Sequence, residues 1–397
     1  MNSKEREVCE YLEERSGEII ELLQKMVSQK SVNPPGDTTA VADVIAEKLD
    51  SYQIPYKEIV VKDIHKSIIS TIGEGGKNLL FNAHMDTVPI GDLNKWTVDP
   101  FNEPLHGDIL YGRGSADDKG GVAAMVMAIC ALKSCGIELN GRMTINPVAD
   151  EETGGENGVK YLLDNNYINP DMVVVGEITE NNVAIAHKGL IWFKIVSKGK
   201  TAHASSPWDG VNAISKMIKF LNRLERYYEI ELPKRTDPLT SSATYNIGAI
   251  EGGVKANVVA DSCTVILDRR ILPDETLQDN VDELQDMVDQ FMRDEPNADI
   301  SFEVINYSPS LKTSPDELLV KKSLEVVSEF GRNTNPVGYQ QSCDGRYFSN
   351  RGIPTVVLGP GIASEAHTPD ESINVNDVLE CAKIYALLAM RILGYKE

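Results

Sequence analysis

Cysteine is scarce in this chain and shows no pairing pattern. Six cysteines in 397 residues, none in a CxxC arrangement, exclude a disulfide framework and a thiolate zinc knuckle. Cys130 and Cys135 fall in one helical pattern, where buried free thiols are expected. Basic residues are in deficit as well: 39 Lys and Arg face 60 Asp and Glu, a formal charge of -21. Such a field repels phosphate backbones and anionic lipid, so neither nucleic acid nor a membrane surface is an expected partner. The opening MNSKEREVCE has no apolar core of a signal peptide, and no run of about 18 uncharged apolar residues follows, so a cytoplasmic location is expected. GxSxG is absent, and Cys343 in QSCDGRY has no base signalled by the sequence, which disfavours a serine or cysteine nucleophile. The Gly-rich GEGGKN lacks the spacing and the Ser or Thr of a P-loop and leads into a strand; a hairpin turn is the reading.

What is present is a long globular chain, 42% apolar and large enough for two domains. In the first third, helices and strands alternate. A second helix, AVADVIAEKLDSY, has Asp37 as its expected N-cap. LLFNAHMD, RMTINPVADEE and MVVVGE read as strands; near-continuous apolar runs such as MVVV imply a mainly parallel sheet sandwiched by helices. From about residue 184 the order becomes β-α-β-β-α-β, the ferredoxin-like arrangement. The expected division is a first catalytic segment at 1–184, an inserted α+β domain at 185–306, and a return to the first domain at 307–397. There Ser314-Pro315-Asp316-Glu317 carries the signature of a helix N-terminus with Ser314 as cap.

Clusters of His, Asp and Glu follow the strands: His84-Met85-Asp86, Asp117-Asp118, Asp150-Glu151-Glu152, Glu177 and His367. Imidazoles and carboxylates delivered from strand ends are what a site for two divalent metals requires, and such a site makes hydroxide at neutral pH. His84 and Asp86 are two apart and so share a face in a strand, His84 as candidate ligand and Asp86 as the group fixing its tautomer. Asp117 has two oxygens to share between metals, although capping of the helix that follows would also use an Asp here. Glu151 and Glu152 are adjacent; one can ligate while the other stays free to take a proton. Glu177 ends a buried strand, where an unpaired carboxylate is costly. His65 and His106 read as surface residues and His187 as structural.

The runs FNAHMDTVP, GRGSADDKGG, ADEETGG, VVVGE, GKTAHASSPWDGVNAI, GGVKANVVADS, LDRRILP and AHTPDES resemble, in order, the motifs of the dinuclear zinc amidohydrolases that include acetylornithine deacetylase, succinyl-diaminopimelate desuccinylase, aminoacylase and glutamate carboxypeptidase. The resemblance spans roughly residues 15 to 395. It implies a zinc-peptidase-like catalytic domain with an inserted ferredoxin-like lid and dimerisation domain. It further implies two Zn2+ per subunit, replaceable by Co2+: His84, Asp117 and Glu177 on one, Asp117, Glu152 and His367 on the other, with a cis peptide after Asp117. Glu151 matches the general base, Asp86 the residue orienting His84, and His203 the donor to the oxyanion, often across a dimer interface. Asn257 and Arg270 resemble the residues that bind the substrate carboxylate. The implied activity is hydrolysis of an amide beside a carboxylate, foremost in N-acyl amino acids; a dipeptidase or carboxypeptidase is the alternative, and an inactive metal-binding protein a remote one. A homodimer through the inserted domain follows by the same analogy. Ile178 and Ala260 stand where many members carry Pro, departures that leave the acyl group and amino acid open.

Overall fold

The segment Asn78–His84 is buried at every position, as a strand covered on both faces must be. In the computed structural model, which describes residues 1–102 and 104–396, it forms the centre of a mixed sheet. The order runs Tyr56–Val61, His65–Ile72, Arg142–Val148, Asn78–His84, Met172–Val175, Thr355–Val357, and continues into Ala184–His187 and Leu311–Lys312. Asn78–His84 pairs in parallel with both neighbours, and Met172–Val175 in parallel with Thr355–Val357. The outer strands add antiparallel pairs. Helix Lys119–Ser134 is buried from Lys119 to Leu132 and packs against helix Val375–Leu393. The class is α/β with a mainly parallel centre, as the apolar runs predict.

GEGGKN does not close a hairpin. Strand Arg142–Val148 lies between the two strands it joins, pairing antiparallel with one and parallel with the other. Gly73 and Gly76 have φ of +80° and +50°, and a Cβ on either would stand 2.1 Å from the Gly141 carbonyl or 2.4 Å from that of Asn140. The glycines are needed because the chain entering the intervening strand passes over them. Local turn chemistry carries no record of a strand that arrives some 65 residues later, counting from Lys77 to Arg142.

Three further local readings shift. Helix Thr39–Ser51 starts at N-cap Thr38, and Asp37 accepts instead from the Thr39 amide at 3.0 Å. Ser314 forms a turn, its carbonyl accepting from Glu317 N at 3.1 Å, and the helix begins at Leu318. His65 is buried, not on the surface, because it opens the strand His65–Ile72 on its inward face.

The chain divides into two compact units. One comprises Met1–Ile185, Lys312–Tyr339 and Cys343–Glu397; the other comprises Ala186–Leu311 with Gln340–Ser342. The second unit has a four-stranded antiparallel sheet in the order Thr244–Gly252, Ser262–Ile271, Gly189–Lys198, Asp299–Ser308. Its core is built from inward residues such as Phe193, Val265 and Leu267 together with Phe220, Leu224, Leu284 and Phe291 from helices Ala213–Glu231 and Leu277–Asp294. The β-α-β-β-α-β order is the ferredoxin-like one. Among the described residues no helix is long and apolar enough to cross a membrane.

Candidate metal centre

Register aligns the strand ends. His84 pairs with Val148 and Asn82 with Val175 in parallel, so His84, residues 150–152 and Glu177 all leave the sheet at one carboxyl edge. Open α/β sheets gather ligands there because loops emerge together. The bend before helix Lys119–Ser134 brings Asp117 to the same place, and the Asp117–Asp118 peptide bond is cis. His367 arrives on a loop, with φ of +61°.

Asp117 is the hub. Its Oδ1 lies 2.9 Å from His84 Nε2 and its Oδ2 3.1 Å from His367 Nε2. Each imidazole also approaches a second carboxylate: His84 Nε2 is 3.6 Å from Glu177 Oε1, and His367 Nε2 is 3.3 Å from Glu152 Oε1. Two half-sites therefore share one carboxylate. Asp118, fully buried, joins His84 and Glu177 in a group whose potential ligand atoms lie within 4.8 Å of one another. The sequence reading gave Asp118 no such place.

The groups behind these side chains set their direction. His84 Nδ1 lies 2.9 Å from the Asp86 main-chain carbonyl, against 3.7 Å from that residue's carboxylate. The orienting contact expected of the Asp86 side chain is thus made by its backbone. Its carboxylate accepts instead from the amides of Glu151 and Glu152, at 3.1 and 3.2 Å, and from Asn33 Nδ2 at 2.8 Å. Asp86 in this way fixes the turn that presents both glutamates. Tyr339 donates to Glu177 Oε2 at 2.8 Å, and Arg346 Nη1 stands 3.4 Å from Glu151 Oε1.

Glu371 braces the site from behind. Fully buried, its Oε1 accepts from the amides of Gly114, Ala116 and Asp117 at 3.0, 3.1 and 3.0 Å, while its Oε2 meets the Arg113 guanidinium. Because Glu371 follows His367 by four positions, it ties the loop of His367 to the loop of Asp117. Sequence reasoning missed Glu371, Arg346, Tyr339 and Asn33. Glu371 does stand within AHTPDES, but its partners lie up to 258 positions away.

Burial pushes the Glu152 carboxyl up to about 7 and that of Glu177 well above the carboxylate range, with Asp117 adding to both. Burial also raises Glu151, opposed by the Arg346 guanidinium. Asp117 is held low despite burial by its hydrogen bonds to His367 and His84. To stay ionised, carboxylates crowded out of water at this density need positive charge among them. Carboxylate oxygen and imidazole nitrogen are the donors that hard and borderline divalent ions take, so this set fits divalent cations.

Three predicted residues lie in the second unit. His203 is bridged to Val258 across adjacent segments, and Ala204 N donates to the Asn257 carbonyl at 3.1 Å, so His203 and Asn257 are neighbours and both are exposed. They extend beyond the Lys198/Ser262 end of the paired strands. Arg270 stands at the other end of Ser262–Ile271, next to the Gly189/Ile271 pair where the chain enters the sheet. Ser262 and Arg270 stand eight positions apart along the strand, roughly 26 Å at the usual rise.

Residues 80–391 match Peptidase family M20/M25/M40. The chain belongs to that family. Acetylornithine deacetylase of Pectobacterium carotovorum is 34% identical over 320 residues, covering 78% of each chain. Aminopeptidase PepT of Bacillus cereus superposes with a TM-score of 0.77 at 22% identity, over 94% of this chain and 98% of the other. The YXEP protein of Bacillus subtilis, a dinuclear metal binding peptidase, superposes with a TM-score of 0.75 at 16% identity, over 96% and 99%. These two share the fold. As a member of family M20/M25/M40 the protein is a metal-dependent hydrolase with the mixed α/β architecture of its structural relatives.

Proposed function

We propose that the protein hydrolyses the amide bond of N-acyl amino acids, using two Zn2+ per subunit that Co2+ can replace. His84, Asp117 and Glu177 would hold one ion and Asp117, Glu152 and His367 the other. The observation that carries this reading is the division of the Asp117 carboxylate between two imidazoles, each with a further carboxylate at hand. Bound divalent ions supply Lewis acidity toward the amide carbonyl oxygen and toward water. Glu151, outside both ligand sets and turned toward Arg346, takes a proton from the attacking water and returns it to the departing amine nitrogen. His203 donates to the carbonyl oxygen as negative charge develops there. Arg270 and Asn257 bind the substrate carboxylate, a task for which the planar guanidinium is suited.

One small substrate cannot touch both ends of the second unit's sheet. Arg270 and the His203–Asn257 pair are therefore assigned to different active sites, with His203 and Asn257 serving the site of a second copy. A homodimer through this unit has support in its surface: the edge strand Thr244–Gly252 is largely exposed, and Ile218, Ile250 and Val254 are 57%, 55% and 87% exposed. Unpaired edges of this kind need cover.

A substrate panel tests the reading. N-acetyl amino acids, N-succinyl-diaminopimelate and dipeptides are offered to Zn2+- and Co2+-loaded protein, and release of free amine is measured. Turnover of N-acyl amino acids well above dipeptides supports the proposal. Preference for dipeptides would make the protein a peptidase, and no turnover of any amide would overturn it.

A further inference from the structure

In a β-strand, residues two apart point to one face, and residues opposite each other on paired strands stand side by side. Asp268 and Arg270 are two apart in Ser262–Ile271, and Trp192 is the register partner of Asp268 on Gly189–Lys198. The three side chains join in a line on the face away from the unit's core. Arg270 Nε donates to Asp268 Oδ1 at 2.9 Å and its Nη2 to Oδ2 at 3.1 Å, while Trp192 Nε1 donates to the same Oδ2 at 2.8 Å. The indole can only donate, so it fixes the carboxylate that fixes the guanidinium. Asp268 occupies one edge of the guanidinium fork and leaves Nη1, on a side chain 41% exposed, to face a ligand.

We propose that Asp268, held by Trp192, is a positioning residue that presents Arg270 to a substrate carboxylate and thereby makes the enzyme selective for substrates ending in a free carboxylate. This rests on the reading of Arg270 as the carboxylate-binding residue. An unsupported arginine carries many rotamers, and a substrate binding to it must order the side chain itself. A guanidinium already clamped by two charge-assisted bonds has lost that freedom before the substrate arrives.

The test compares the N-acetyl amino acid that the wild type turns over best with its C-terminal primary amide, in the metal-loaded enzyme. Arg270→Ala is expected to abolish the preference for the carboxylate. Asp268→Asn is expected to raise KM for the carboxylate substrate on the order of tenfold, the cost of ordering a long side chain, while kcat and the amide substrate's KM stay near wild type. Trp192→Phe should move KM the same way by less, and serves if Asp268→Asn folds poorly. If Arg270→Ala abolishes the preference but Asp268→Asn and Trp192→Phe leave KM unchanged or lower it, the positioning role is overturned while Arg270 stands. If Arg270→Ala keeps the preference, the reading of Arg270 falls and the proposal with it.

Discussion

Glu371→Gln removes a single charge from behind the metal centre and nothing from within it. The Glu371 carboxylate is fully buried, paired with Arg113, and the acceptor of three amides of one loop, those of Gly114, Ala116 and Asp117. A glutamine of the same shape can offer its oxygen to those amides only by turning its NH2 toward the guanidinium. Removing one partner of a buried ion pair costs about 3–5 kcal/mol, because the other charge stays buried. The loop would also lose the hold that aims Asp117 between His84 and His367. Groups that support metal ligands from behind are typically worth about 10–100-fold in metal affinity. Chemical unfolding in the presence of EDTA should therefore show a loss of about 3–5 kcal/mol, and calorimetric titration with Zn2+ a weakening of at least about tenfold. Lower stability with wild-type metal affinity would refute the link between Glu371 and Asp117, leaving Glu371 a brace for the fold. Unchanged stability would refute the reasoning about the buried pair.

Other expectations follow from the same geometry. Glu151→Ala should bind metal as the wild type does and lose turnover by about 10²–10⁴-fold, the usual contribution of a positioned acid-base group; near wild-type kcat in a metal-replete assay would remove Glu151 from the mechanism. Mixing His203→Ala subunits with Glu151→Ala subunits should restore activity, since a hybrid dimer holds one site with both residues intact; absence of recovery in verified hybrids would place His203 in its own chain's site. Metal affinity should fall as pH falls, because His84, His367 and the carboxylates bind metal only when deprotonated. Titrations at stepped pH that show affinity constant from neutral to acid would contradict the ligand set.

Legibility in the sequence followed the range of the forces. The parallel sheet was readable because strands buried on both faces carry unbroken apolar runs, as Leu79–Phe81 within Asn78–His84 and all of Met172–Val175 do. The convergence of His84, Glu151, Glu152 and Glu177 was readable because each stands at or within four residues of the end of a buried strand, and parallel register then aligns the ends. What failed were inferences from local chemistry alone. GEGGKN has a hairpin's composition, yet its glycines make room for a crossing segment. Ser314 has a cap's signature, yet it makes a turn ahead of the helix. The Asp86 side chain reaches the Glu151 and Glu152 amides, some 65 positions on, where a tautomer-fixing role pointed to its neighbour His84. Glu371, Tyr339 and Arg346 were invisible for the same reason, since each acts on a partner well over a hundred positions away.

The shared carboxylate is the claim on which the site stands, and metal stoichiometry tests it most directly. Protein stripped with chelator is reloaded with Zn2+ and its bound metal counted by mass spectrometry, for the wild type, Glu152→Ala and Asp117→Ala. Because Asp117 divides its oxygens between His84 and His367, the wild type should hold two ions per chain, Glu152→Ala should lose one, and Asp117→Ala should lose tight binding of both. A wild type saturating at one ion, or an Asp117→Ala variant that still binds one as tightly as the wild type, would contradict a centre built on a bridge.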